Sequence, residues 1–404
     1  MPVFYKLRAR DLYYWLYNSY LLCLSNTKIQ SLRSSMAMEE HDPDGYWQRE
    51  SSCIDAHSKL PDPKRVWIGE PGSALEGIGR LSLLTPEIVS SAATSEIKTG
   101  RRVGLGWDMT KLEYSQFGRQ KCGHKIIPLN GPGGSGHGAC FDDVYHMNPQ
   151  QSSQWDGFRH YSQPRNTSDP STSQERVFYG GITKDEIMDA SNHRIGLQHW
   201  ASEGIAGESS SVHFPSSIPH LHSTHNYLLG RGILIDYAHW CTQQSPPIKY
   251  TNFSLHNIPF KTLVAILADQ NIAPQRGDIL FIRMGLIPEW DSFTDSQKQE
   301  YASQSTPEHA GVEPSLELLE WIWDSGISAV AGDAISWEVY PTQGELSCHE
   351  YLLGGWGMPI GEIFDLEALS RTCRELNRYS FFLTSMPLNM PGGVSSPPNA
   401  MAIF

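Results

Sequence analysis

No Cys-x-x-Cys pair occurs among the seven cysteines, at positions 23, 53, 122, 140, 241, 348 and 373. An odd number without paired spacing speaks against a cysteine-ligated zinc module and against a disulfide framework. Reduced thiols in a cytoplasmic protein are the expectation. Clusters of positive charge are missing too. Nothing exceeds short pairs such as Arg101–Arg102, and the formal net charge is −13. Phosphate backbones and anionic bilayers attract clustered Lys and Arg, so neither nucleic acid nor a membrane is expected as a partner. Long apolar runs are also lacking. No stretch approaches the ~20 apolar residues of a membrane span. The apolar segment at 13–24 is broken by Asn18 and Ser19 and shows no small-residue cleavage site, unlike the unbroken core of a signal peptide. The Gly-rich segment 129–138 lacks the GxxxxGK[ST] order of a phosphate loop and reads as a turning segment.

What remains is the composition of an ordinary globular protein. The chain has 404 residues, of which 39% are hydrophobic and 19% charged, enough for a large core. Residues 1–63 show no periodicity and are expected to form a peripheral arm, partly disordered. A single catalytic domain is expected over 64–404. Thr85 and Pro86 mark a helix start after a short strand at 81–84. Strands are expected at 232–236, 277–283, 327–331 and 381–383, and helices at 263–270, 314–323 and 366–376. Their alternation makes the class α/β. One segment interrupts this pattern. Residues 208–226 are rich in Ser and Pro and hold His213, His220, His222 and His225. A histidine cluster can bind metal, but this composition reads first as a surface loop.

Two constellations carry chemistry. Asp156 and His160 stand four residues apart in Gln-Trp-Asp-Gly-Phe-Arg-His. A carboxylate there could ligate a divalent ion, and an imidazole could ligate or act as acid and base. A structural hydrogen-bonded pair has the same spacing. His349 and Glu362 flank an apolar, Gly-rich stretch, and Asp333 follows an expected strand. A His and two carboxylates at strand ends would suit a catalytic metal with an open position. A core histidine and a helix-capping Glu would look alike.

The stretch QWDGFRH resembles the region holding the signature HxGTHxDxPxH of cyclase-like metal-dependent hydrolases, a family that includes bacterial kynurenine formamidase and isatin hydrolase. It is closer to a fungal branch in which the stretch looks like QWDGLRH. VFYGG at 177–181, GRGILIDY at 230–237, RGDILFIRMG at 276–285, LLGGWGMPIGEIFDLEAL at 352–369 and SFFLTSMPLNMPGGVSSPPNAMAIF at 380–404 extend the resemblance from about residue 64 to the end.

The resemblance implies a mixed-sheet α/β architecture, the swivelling β/β/α-type cyclase fold, flanked by helices. It implies a divalent metal, Mn²⁺ or Zn²⁺, held by Asp156, His349 and Glu362, with His160 as general acid and base. Gln150 and Gln154 occupy the places of the two earlier signature histidines, and Gln154 is a candidate ligand through its amide. Trp155, Phe158, Tyr161, Trp337 and Trp356 are candidate walls of the substrate pocket. The implied activity is hydrolysis of an amide or ester of a small metabolite: a cyclic amide, lactone or aryl formamide. Dehydration or cyclisation on the same site, or a non-catalytic family member, are the alternatives. A small-molecule substrate and a homo-oligomer are the implied partners. Residues 208–229 look inserted relative to this family, as a surface elaboration or a retained intron.

Overall fold

A strand that is apolar at every position must be covered on both faces. Ile233, Leu234 and Ile235 are such a run, and all three are buried. The computed structural model describes residues 47–48, 55–114, 117–129, 140–165, 175–201 and 228–404. They fall in one compact unit, Tyr46–Phe404.

Nine strands build its main sheet: β1 (Arg102–Gly104), β2 (Gln154–Asp156), β3 (Leu228–Asp236), β4 (Ile279–Arg283), β5 (Ala329–Gly332), β6 (Ile360–Glu362), β7 (Ser380–Ser385), β8 (Ser395–Ser396) and β9 (Met401–Ile403). Their spatial order is β8-β2-β6-β5-β4-β3-β7-β9-β1. The central strands β3, β4, β5 and β6 run parallel. The flanking strands pair antiparallel. The sheet is therefore mixed, as expected.

Parallel neighbours need crossovers, and helices supply them. Between β3 and β4 the chain passes through Phe260–Asp269, and between β4 and β5 through Leu316–Asp324. Each helix buries one apolar stripe: Leu263, Ile266 and Leu267 in the first, Leu318, Leu319, Ile322 and Trp323 in the second. Alternation along the strands divides the interior in two. Ile233, Ile235, Leu280 and Ile282 join the cluster with these helices. Leu234, Ile279, Phe281 and Phe381 face the other side. The expected helix at 366–376 is Glu367–Leu376.

The start after Thr85 also stands. Its hydroxyl accepts from the Ile88 amide, and Pro86 opens the helix Pro86–Glu96. The strand expected at 81–84 is instead part of a 3₁₀ turn, Gly79–Leu83. Arg80 is buried there. Its guanidinium donates to the Trp323 and Ile327 carbonyls and lies 4.0 Å above the Trp323 ring, which pins the segment as a turn against the second crossover helix.

Packing begins ahead of residue 64. His57 and Leu60 are buried, the His57 amide donates to Asp324, and Trp323 Nε1 donates to the Asp55 carbonyl. Trp47–Gln48 pairs in parallel with Trp67–Ile68. The rest of 1–54, most of the Gly-rich stretch at 129–138, and the histidine-bearing segment 208–226 lie outside the described residues. Leu228 and Leu229, the last residues before GRGILIDY, already belong to β3. Among the described residues no helix is long and apolar enough to cross a membrane.

Candidate metal centre

Strands β2 and β6 lie side by side in antiparallel register, with Gln154 opposite Glu362, Trp155 opposite Gly361 and Asp156 opposite Ile360. Side chains alternate across a strand. Gln154 and Asp156 therefore share one face with Glu362, and Trp155 takes the other. Trp155 has no exposed surface, packs edge-on against Phe364 and donates from Nε1 to Ser385. Gly361 is glycine for a steric reason. A Cβ there would lie 2.7 Å from Ala331 Cβ and 2.9 Å from the Trp155 ring.

On the polar face, Gln154 Nε2 donates to Glu362 Oε2 at 2.7 Å. Beyond Asp156 the chain turns, with the His160 amide donating to the Gly157 carbonyl. This returns the His160 ring to 3.7 Å from Asp156 Oδ2. Gln150, on the short turn Pro149–Gln151, donates from Nε2 to Asp156 Oδ1 at 3.0 Å and lies 2.6 Å from His160 Nδ1. His349 arrives from a distant part of the chain, at the head of a π-helical turn, Glu350–Gly355. Its Nδ1 lies 2.8 Å from Glu338 Oε1 and its Nε2 lies 3.3 Å from Glu362 Oε1. One ligand atom each from Asp156, His160 and His349 falls within 4.8 Å of the others. The four residues singled out for the site thus converge.

Burial shapes the electrostatics. It drives the Glu362 carboxyl up, aided by the neighbouring Asp156 charge and opposed by His349, to about 7. It lowers the basicity of His160, with Asp156 opposing. It would lower His349 as well, but hydrogen bonds and charge from Glu338 and Glu362 hold that imidazole well above its ordinary value. Glu338 stays below the usual carboxylate range despite burial, because His349 and the Cys348 amide bond to it.

The donor set fits a divalent ion. Asp156 Oδ2 and Gln154 Oε1 are buried without a hydrogen-bond partner, and Glu362 Oε1, also buried, faces the His349 ring at 3.3 Å. Orphaned buried oxygens are costly unless something positive meets them. Two carboxylates and an imidazole suit a hard or borderline ion.

Other expectations change. Trp155, Phe158 and Trp356 are core residues without exposed surface. Phe158 packs between Tyr179 and Trp200, and Trp356 contacts Trp323 while donating to the Pro63 carbonyl. Trp337 is 1% exposed and belongs to the crossover-helix core. Tyr161 does meet the site. It is 37% exposed, and its ring stands edge-on 5.1 Å from His349. Asp333 lies elsewhere, accepting from the amides of Met284, Gly285 and Leu286. Glu338 went unread. A lone acid between Trp337 and Val339, both apolar, was its signal, since such a group is buried only when paired.

No curated protein sequence matches the chain. A solved structure described as that of a novel cyclase is 24% identical, covering 81% of this chain and 96% of its own, with a TM-score of 0.63. Isatin hydrolase A from Labrenzia aggregata is 12% identical, covering 78% of this chain and 97% of its own, with a TM-score of 0.44. Isatin hydrolase A from Ralstonia solanacearum is 13% identical, covering 78% and 95%, with a TM-score of 0.45. The first of these shows the fold. A family model described as "Putative cyclase" matches residues 110–339, a span that holds Asp156, His160 and Glu338 and stops short of His349 and Glu362. That match takes in more than half of the sequence, and the chain belongs to the cyclase family.

Proposed function

We propose that this protein is a metal-dependent hydrolase that opens an amide or ester bond in a small molecule: a cyclic amide, a lactone or an aryl formamide. The observation that carries this reading is the convergence of two buried carboxylates, Asp156 and Glu362, on His349 and His160, with Asp156 Oδ2 left without a hydrogen-bond partner. Asp156, His349 and Glu362 would hold the ion, Mn²⁺ or Zn²⁺. When bound, such an ion acidifies a water and polarises a carbonyl group.

The chain's own residues do the rest. Glu338 orients the His349 ring through Nδ1, leaving Nε2 toward Glu362. Gln154 ties down one oxygen of Glu362 and leaves the other to the His349 side of the site. His160 is the catalytic imidazole of the site, and burial lowers its basicity. Tyr161, beside His349 and partly exposed, is the aromatic contact available to a substrate entering from solvent.

The test is to strip the purified protein with chelator, restore Mn²⁺ or Zn²⁺, and screen aryl formamides, lactones and cyclic amides. Ion-dependent hydrolysis of one class is expected. A protein that binds neither ion would overturn the reading.

A further inference from the structure

Gln150 has one amide nitrogen and two acceptors. Asp156 Oδ1 lies 3.0 Å from its Nε2 and His160 Nδ1 lies 2.6 Å from it, while His160 Nε2 is farther off at 3.4 Å. An ionised carboxylate only accepts, so the contact with Asp156 fixes which end of the amide faces inward: the NH₂ group. That group has two hydrogens. One serves Asp156, and the other points at His160 Nδ1.

A neutral imidazole carries one proton, and the nitrogen that accepts a hydrogen bond is the one without it. We infer that Gln150 is a positioning residue that holds neutral His160 with its proton on Nε2. Gln150 stands where the resembling signature has a histidine, yet it turns its nitrogen, not its oxygen, toward Asp156. It therefore acts on the centre as a donor and does not ligate.

Two consequences follow. The Nδ1 lone pair is spent on Gln150, and Nε2 carries a proton, so His160 has no lone pair to offer an ion. Proximity alone would place it among the ligands; the hydrogen-bond pattern removes it. His160 also meets a substrate as a hydrogen-bond donor, the form that stabilises negative charge developing on a carbonyl oxygen. The functional half of this inference rests on the hydrolase reading above. The tautomer does not.

The experiment is ¹⁵N NMR of histidine-labelled, metal-free protein at a pH where His160 is neutral, with its signals assigned by their loss in His160→Ala. The wild type should show the Nε2–H form. Gln150→Leu should lose that preference, with the two forms mixed. Gln150→Glu should reverse it, because a carboxylate accepts from Nδ1–H. The freed Nε2 lone pair should then tighten Zn²⁺ binding at least severalfold in a calorimetric titration. Wild-type His160 in the Nδ1–H form, or a tautomer unmoved by both substitutions, overturns the inference. Neither readout needs turnover, so failure of the substrate screen leaves this result standing, and the reverse also holds.

Discussion

Replacing one imidazole at this centre separates two roles that proximity confounds. His160→Ala should cut turnover by about 10²–10³, the usual loss for a donor that stabilises developing charge, while leaving most of the ion bound by mass spectrometry. Equal loss of ion and activity would make His160 a ligand. Gln154 asks the complementary question. Its nitrogen is committed to Glu362 and its Oε1 is buried without a partner. Imidazole is a better donor to zinc than an amide oxygen. Gln154→His should therefore bind Zn²⁺ more tightly with Mn²⁺ little changed, and unchanged titrations for both ions would place Gln154 outside the ligand set. At this scale residue types with a resemblance behind them were informative. Asp156, His160, His349 and Glu362 come together although nothing local in the chain requires it. Of the five aromatics, Tyr161 alone lies at the site. A tryptophan beside a ligand in sequence points to the opposite face of a strand, and Trp155 does so.

Two elements hold the site in register. Where β6 crosses β2, Gly361 leaves room for the Trp155 and Phe364 rings. Gly361→Ala should cost about 1–3 kcal/mol, typical of overpacking, measured by denaturant unfolding; an unchanged midpoint would mean that the strands can separate freely. The loop from Glu338 to His349 carries the other constraint. Glu338 accepts from Ser347 Oγ, from the Cys348 and His349 amides and from the His349 ring. Removing one partner of a buried pair typically costs about 3–5 kcal/mol, and Glu338→Gln should lose stability on that order in metal-free protein.

The pH dependence has a definite sign. The folded pKa of His349 is raised, so its contribution is complete below about 6.5 and fades as pH rises past the folded value. Glu362, raised to about 7, fades in the same direction as pH climbs from about 4.3. Glu338 is depressed, so its contribution is complete above about 4.3 and fades as pH falls. Metal-free wild type should melt highest in mildly acidic buffer, and Glu338→Gln should lose the acid limb. A melting temperature flat from pH 4 to 9 would contradict these assignments. Periodicity located the parallel strands and crossover helices because their apolar runs are long. It missed the three-residue strands β2 and β6, whose pairing depends on partners up to 208 residues away in sequence.

For the whole molecule, the hairpin Gly123–Pro128 with Phe141–His146 bears on the expected homo-oligomer. Ile126, Phe141 and Tyr145 are 58%, 61% and 56% exposed. A lone two-stranded hairpin is marginal in water, and exposed apolar surface of this kind marks a contact site. Among the described residues no third strand pairs with its edges, which would suit a second copy related by two-fold symmetry. Sedimentation velocity should show a dimer or larger species, and Ile126→Glu with Phe141→Glu should shift it to monomer. A double variant that sediments like wild type would remove the hairpin from any such interface.

The distances along the chain between the proposed ligands Asp156, His349 and Glu362 have a bearing on survival in the cell. An unfolded chain cannot gather groups so far apart, so a cation would bind the native state alone and add RT ln(1 + [ion]/Kd) to its stability. At a hundredfold excess over Kd that is about 2.7 kcal/mol, enough to alter the fraction open to proteases by roughly a hundredfold. The lifetime of the protein would then follow the supply of its ion, and starvation for that ion would clear the chain as well as silence it.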